Sequence, residues 1–147
     1  MDYLAARELL LSRAAPVGTE TVSLTDCFGR VLARELRAAE DVPAFDRSPY
    51  DGYALRAVDT AGASAEHPVT LEIIEEIPAG AVPAKALTVG TAAKILTGAP
   101  IPPGADAVIN FEATRFTAET VTVFAPLAPG KNVVRAGEDV KRGALLA

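Results

Sequence analysis

The sequence has no tryptophan, one cysteine (Cys27), one histidine (His67) and one methionine, and aromatic residues fill only 5% of its 147 positions. Each scarcity excludes something. A lone cysteine forms neither an internal disulfide nor a Cys-x-x-Cys metal site. A lone histidine argues against a multi-histidine zinc site and against a Ser-His-Asp triad. No stretch reaches the roughly 18 apolar residues of a membrane span. Asp2, Arg7 and Glu8 interrupt the N-terminal leucines, so that segment does not read as a signal peptide. Acidic residues outnumber basic ones 19 to 14, for a net charge of −5. Phosphate binding draws on clustered Lys and Arg, so this balance argues against a nucleic-acid or anionic-membrane surface. The composition is that of a cytoplasmic domain.

What is present is the size of one domain or of two small ones, 15.2 kDa in all. Such a chain buries roughly 70% of its unfolded surface and needs no disulfide or metal to fold. Hydrophobic residues make up 50%, but 29 are alanines, so core material is thinner than that figure suggests. Tyr3, Ala6, Leu10 and Ala14 lie on one helical stripe, with Leu4 and Leu11 beside it. Asp2 is placed to cap that helix and Pro16 and Gly18 to stop it. Thr21–Thr25 alternates as a strand, Asp26–Gly29 reads as a turn, and residues 40–49 as an irregular crossing. From Tyr53 onward β signals dominate, with strands expected over 69–77, 88–96, 107–111 and 120–124. Eleven glycines and eleven prolines punctuate them and suggest short strands joined by tight turns. The absence of a β-α-β alternation disfavours a doubly wound nucleotide-binding fold. The fold expected is mainly β with an N-terminal helix (α+β). The apolar end, Gly143–Ala147, reads as a strand without a partner and suggests a chain that has been cut. Cys27, beside Phe28, reads as a small buried hydrophobe, and His67 as a loop residue.

Three constellations could carry chemistry. Asp46-Arg47-Ser48-Pro49-Tyr50-Asp51-Gly52-Tyr53 is either a plain β-turn or a loop presenting a carboxylate between Tyr50 and Tyr53. In the second reading Asp51 binds Mg²⁺ or orients a water, since hard cations prefer carboxylate oxygens. Thr97-Gly98-Ala99-Pro100 opens a stiff loop that runs to Asp106. It is either a surface connection or a site where Thr97 offers a hydroxyl and Gly98 a backbone N–H to an anion. No Gly-Lys-Ser/Thr follows, so it is not a phosphate loop of that kind. Arg135-Ala136-Gly137-Glu138-Asp139 is either a solvated turn with weak ion pairs or a further supply of carboxylates.

In order along the chain, Cys27–Ala33, Asp41–Ser48, Asp51–Ala54, Ile95–Val108 and Arg135–Asp139 resemble the N-terminal part of molybdopterin molybdenumtransferases, the molybdenum-insertion enzymes related to the E domain of gephyrin. The resemblance implies two small domains of bifurcated and coiled β-sheets. One is an elongated discontinuous domain, residues 1–45 and 135–147, and the other a β-rich domain, residues 46–134. It also implies insertion of molybdate into adenylylated molybdopterin with Mg²⁺ assistance and release of AMP. The active site would be an inter-subunit cleft of a homodimer, completed by C-terminal molybdopterin-binding domains outside this sequence. It assigns catalytic roles to Asp51, Thr97 and Asp139, and substrate contacts to Ser48, Gly52, Gly98, Arg135 and Glu138, with Asp51 toward Mg²⁺. Pro49 and Tyr50 depart from the family's usual Asn-Ser-Ala-Met-Asp-Gly loop. A stand-alone docking or dimerisation module of the same fold, without catalysis, is the alternative.

Overall fold

The structure is a computed structural model and describes residues 2–147. It is mainly β with one N-terminal helix and divides into two compact units, residues 1–36 with 147, and residues 37–146.

In the first unit, α1 spans Tyr3–Arg13. The Asp2 carboxylate accepts the Ala5 N–H at 2.8 Å, satisfying one of the helix's orphan donors. Ala14 turns extended and ends it. No residue of 2–36 is buried, so the expected apolar stripe is present but faces solvent: Tyr3, Leu4, Leu10 and Leu11 are all exposed. Two expectations are corrected here. Thr21–Thr25 is not a strand; Leu24–Asp26 forms a single 3₁₀ turn. The Ser23 hydroxyl reaches Thr25 Oγ1 at 2.8 Å and donates to Asp26 Oδ2 at 2.6 Å, the local side-chain bonding that competes with strand formation. Cys27 is exposed, because the turn that carries it has no layer above it; its thiol donates to the Leu24 carbonyl at 2.8 Å.

The second unit is built on one six-stranded sheet. Its strands are β1 Gly52–Leu55, β2 Val69–Ile77, β3 Thr91–Ile95, β4 Ala107–Asn110, β5 Thr114–Phe116 and β6 Thr120–Val123. The order across the sheet is β4-β1-β3-β2-β6-β5. All neighbours are antiparallel except β2 and β3, which run parallel with one extra residue, Ile74, bulged from β2. Three strands separate β1 from β5, yet the Tyr53 and Phe116 rings lie 5.8 Å apart. The sheet is therefore curled into a half-barrel, and its concave face holds Tyr53, Leu55, Leu71, Ala92, Ile109, Val121 and Val123.

The convex face carries Ala54, Ile77, Ala93, Ile95 and Val108, and it is covered by connections, not by a second sheet. Here the expectation of tight turns fails. Parallel β2 and β3 need a crossover, and residues 78–90 supply it, bringing Leu87 onto the convex face. The Glu75 carboxylate pins this crossover by accepting the Ala84 and Lys85 N–H groups at 2.8 and 3.0 Å. The 96–106 connection adds Ala99 and Ile101 to the same layer. Short connections join only β4 to β5, through the 3₁₀ turn Phe111–Ala113, and β5 to β6, among the described residues.

Two arms leave the sheet side by side. Residues 37–47 run antiparallel to residues 134–145 through isolated bridges at Arg37–Leu145, Val42–Val140 and Arg47–Val134. The expected C-terminal strand is reduced to these bridges; Gly143 adopts a left-handed φ of 84° and interrupts it.

Candidate functional site

Asp51 stands at the bend just before β1, and Thr97 just after β3. Antiparallel pairing of Gly52 with Ile95 brings these two chain ends together. Asp51 Oδ1 accepts both the Thr97 N–H and the Thr97 hydroxyl, each at 2.7 Å. These two donors, the N–H first, hold the Asp51 carboxyl below the ordinary carboxylate value. The residue is exposed, so an ionised carboxylate faces solvent with its second oxygen unused by any hydrogen bond among the described residues. The turn reading holds, and this turn presents the Asp51 carboxylate to solvent.

The residues around Asp51 build its frame. Ser48 is fully buried; its hydroxyl donates to the Tyr50 carbonyl at 2.5 Å and accepts the Tyr50 N–H at 3.2 Å. It closes the turn, and its hydroxyl is engaged inside it. The Gly98 N–H expected to meet an anion is donated instead to the Ser48 carbonyl at 2.8 Å, while Ser48 N–H donates to Ala99. What Gly98 presents is a left-handed turn with open space where a Cβ would stand. Gly52 is buried against β4: a Cβ there would lie 2.0 Å from the Ile109 carbonyl oxygen. Tyr53, expected as a wall beside Asp51, is a core residue, 1% exposed. Tyr50 is half exposed.

The third constellation forms a separate turn. Glu138 Oε2 accepts the Arg135 N–H at 2.9 Å, and Asp139 donates its N–H to the Val42 carbonyl at 3.0 Å and leaves its side chain exposed. No hydrogen bond joins Asp139 or Glu138 to Asp51 among the described residues. The two groups are linked through residues 46–48, which hydrogen-bond to residues 98–101 on one side and 134–136 on the other.

Asp46 organises that link and was not singled out by sequence reasoning. Its carboxylate accepts the Ala136 N–H at 2.8 Å and an Arg135 guanidinium N–H at 2.5 Å. The Ala136 bond, then Arg135, favours the charged form; partial burial opposes it; the net pKa lies below the ordinary 3.8. Because the native pKa is lowered, the stability Asp46 contributes is present above 3.8 and is lost as pH falls through the native value. Acid titration followed by amide NMR is expected to free Ala136 only below pH 3.8, and Asp46→Asn to loosen Arg135 at neutral pH. An Ala136 amide indifferent to both would remove the clamp. The only hint in the sequence was a carboxylate inside an otherwise irregular, Pro-rich stretch.

The fit to Mg²⁺ can be judged from donors. Among the described residues no group of three His, Cys, Asp or Glu side chains converges. Asp51 offers one free carboxylate oxygen. Mg²⁺ is commonly held by one or two carboxylates with waters and substrate phosphates, so Asp51 fits as one ligand of such a site. No helix of the described residues is long and apolar enough to cross a membrane.

Comparison with known proteins agrees with this frame. The molybdopterin molybdenumtransferase of Bacillus subtilis (strain 168) is 48% identical over 132 residues, 87% of this chain and 31% of that protein. Molybdopterin molybdenumtransferase 2 of Mycobacterium tuberculosis is 45% identical over 123 residues, 84% of this chain and 30% of the relative. The crystal structure of the molybdopterin biosynthesis MoeA protein from Pyrococcus horikoshii superposes with a TM-score of 0.89 at 44% identity, covering 99% of this chain and 38% of that one. The chain thus spans about a third of the length of these relatives. A family model described as the MoeA N-terminal region (domain I and II) matches residues 1–147, and the chain belongs to that family.

Proposed function

We propose that the chain forms one wall of the active-site cleft of a molybdopterin molybdenumtransferase, in which molybdate is inserted into adenylylated molybdopterin and AMP leaves. The names of the relatives support the chemistry. The observation that carries this chain's part is the Asp51–Thr97 pair: an exposed carboxylate, fixed through one oxygen by two donors and open at the other. In this reading Asp51 supplies that oxygen to Mg²⁺ or to a water beside the diphosphate. Thr97 orients Asp51 and offers its hydroxyl oxygen to the ligand. Gly98 leaves room for close approach. Arg135, Glu138 and Asp139 line the neighbouring turn. Mg²⁺, when bound, neutralises charge developing on the phosphates.

The proposal includes the division into residues 1–45 with 135–147, and 46–134. Antiparallel pairing of the two arms supports it. It includes a cytoplasmic homodimer whose cleft is completed by C-terminal domains of the other subunit, with this chain inactive alone. Phe28 at 99% exposure and Val31 at 94% support a need for covering partners. The test is AMP release coupled to molybdate insertion by the full-length protein carrying Asp51→Asn. A rate within twofold of wild type would overturn the role of Asp51 and favour the docking-module reading.

A further inference from the structure

Arg47 is held by main chain on both sides. Its N–H donates to the Val134 carbonyl at 2.9 Å, and its own carbonyl accepts the Val134 N–H at 3.0 Å. On the other side it bridges to Pro100. Residues paired across such bridges carry their side chains on one face, so Arg47 stands in a row with Pro100 and Val134. All three are half-buried, and both neighbours are apolar. Phe45 and Tyr50, to either side along the chain, are 48% and 50% exposed.

The charge in this row is unmet. Arg47 Nε is sealed from solvent without a hydrogen-bond partner, the one buried side-chain nitrogen or oxygen so placed among the described residues. The guanidinium makes no other hydrogen bond or ion pair among them. The carboxylates of the same stretch are engaged elsewhere. Asp46 holds Arg135 and Ala136, and Asp51 holds Thr97. Glu138 accepts the Arg135 N–H and Asp41 the Arg142 N–H. A charged donor kept from water without an acceptor is costly, and an exception to the pairing rule calls for an explanation.

We infer that Arg47 anchors a carboxylate carried by the C-terminal domains of the full-length protein, which close over the Arg47–Pro100–Val134 row. Arginine and aromatic residues on a partly apolar patch are the composition of an interface centre. The planar fork of arginine takes both oxygens of one carboxylate, and the Nε–H left unmet here becomes one of the two donors once the guanidinium turns on its stem. A free, multiply charged anion fits less well. Arg47 is the only cation in residues 38–55, which hold Glu40, Asp41, Asp46 and Asp51, and like charges repel such an ion. The chain spans about a third of the length of its relatives, which gives the covering carboxylate a source. The inference rests on the reading that C-terminal domains complete the cleft.

The test compares hydrogen exchange, read by mass spectrometry, in the 147-residue chain and in the full-length protein. The reporters are residues 45–50 and 98–101, whose amides bond to one another and to Val134. In the full-length protein these segments are expected to exchange at least about tenfold more slowly than in the chain alone. Arg47→Met is expected to abolish about tenfold of that protection in the full-length protein, because it strands the facing carboxylate. In the chain alone the same variant is expected to leave exchange and melting temperature unchanged or improved, because it removes only an unpaired charge. Arg47→Lys, which keeps the charge, is expected to retain part of the protection. Equal exchange in the two proteins would overturn the inference, as would protection indifferent to Arg47→Met. Faster exchange of the variant in the chain alone would place the partner of Arg47 within this chain and overturn it too. So would Arg47→Lys behaving as Arg47→Met does, or an effect of Arg47→Met seen only with inorganic phosphate present, which marks a small anion. Each of these readouts is independent of turnover, so the role of Asp51 stands or falls separately on Asp51→Asn.

Discussion

Gly52→Ala is expected to lower the stability of the 37–146 unit by about 3 kcal/mol or more. For a unit of this size the melting temperature should fall by more than about 10 °C. The cause is the approach of β1 to β4. A Cβ on Gly52 would stand 2.0 Å from the Ile109 oxygen, 2.8 Å from its carbonyl carbon and 2.9 Å from Asn110 Cα. All three are main-chain atoms, so no side chain can swing away. The Gly52–Asn110 and Tyr53–Ile109 pairs must part, and Phe111, which follows β4, is drawn off the Tyr53 ring it meets edge-on at 5.2 Å. Gly80→Ala is the comparison. There φ is 82° but nothing lies within 4 Å of the added carbon, so the cost is the left-handed backbone alone, about 1–2 kcal/mol. Thermal unfolding followed by circular dichroism decides it. Equal melting points for the two variants would mean that β1 and β4 are not packed this closely.

The second large effect is on turnover. In the full-length protein, Asp51→Asn is expected to reduce molybdate insertion by at least about 100-fold, the scale lost when one preorganised electrostatic group is removed from an active site. Asn can still accept both Thr97 bonds through its amide oxygen, and Asp51 is exposed, so the melting point should not move. Thr97→Val removes the hydroxyl bond but keeps the backbone one, and a loss of about tenfold is expected. If Thr97 acts mainly by holding Asp51, the double variant should be no slower than Asp51→Asn by more than about twofold. A fully multiplicative double variant would show that Thr97 acts on the ligand independently.

Much of this molecule was legible because its signals are local. The α1 stripe with Asp2 before it, the β-branched run of β2, and the Gly-Pro marks around β3, β4 and β6 each describe a segment on its own terms. The errors fall where a partner decides. Thr21–Thr25 has strand composition but no strand to pair with, and Ser23 settles it locally. Cys27 reads as buried until one sees that no layer covers it. The parallel β2–β3 pair is invisible without a helix to announce it, because an irregular crossover carries the same Gly and Pro as a turn. At the site, Asp51 and Thr97 could be named from the sequence, but not their contact, which depends on Gly52 meeting Ile95 across the sheet. Ser48 and Gly52 share the same motif, and composition could not show that they bury themselves to shape the loop. Asp46 acts over 90 residues of separation on Ala136, a distance at which no sequence pattern operates.

The bulged residue of β2 has a consequence of its own. Leu71 and Ile73 face the concave layer, whereas Ile74 and Ile77 face the convex one. In an unbroken strand, residues 74 and 77, an odd number apart, would point to opposite sides. The surplus residue shifts the alternation by one step, so the strand is read in one phase up to Ile73 and in another from Glu75. Without that change of phase Glu75 would stand opposite Lys94, and Glu76 would be driven against Ile95 in an apolar layer. The charged pair at the mouth of the half-barrel, and the apolar seat of Ile77 behind it, therefore share a single origin.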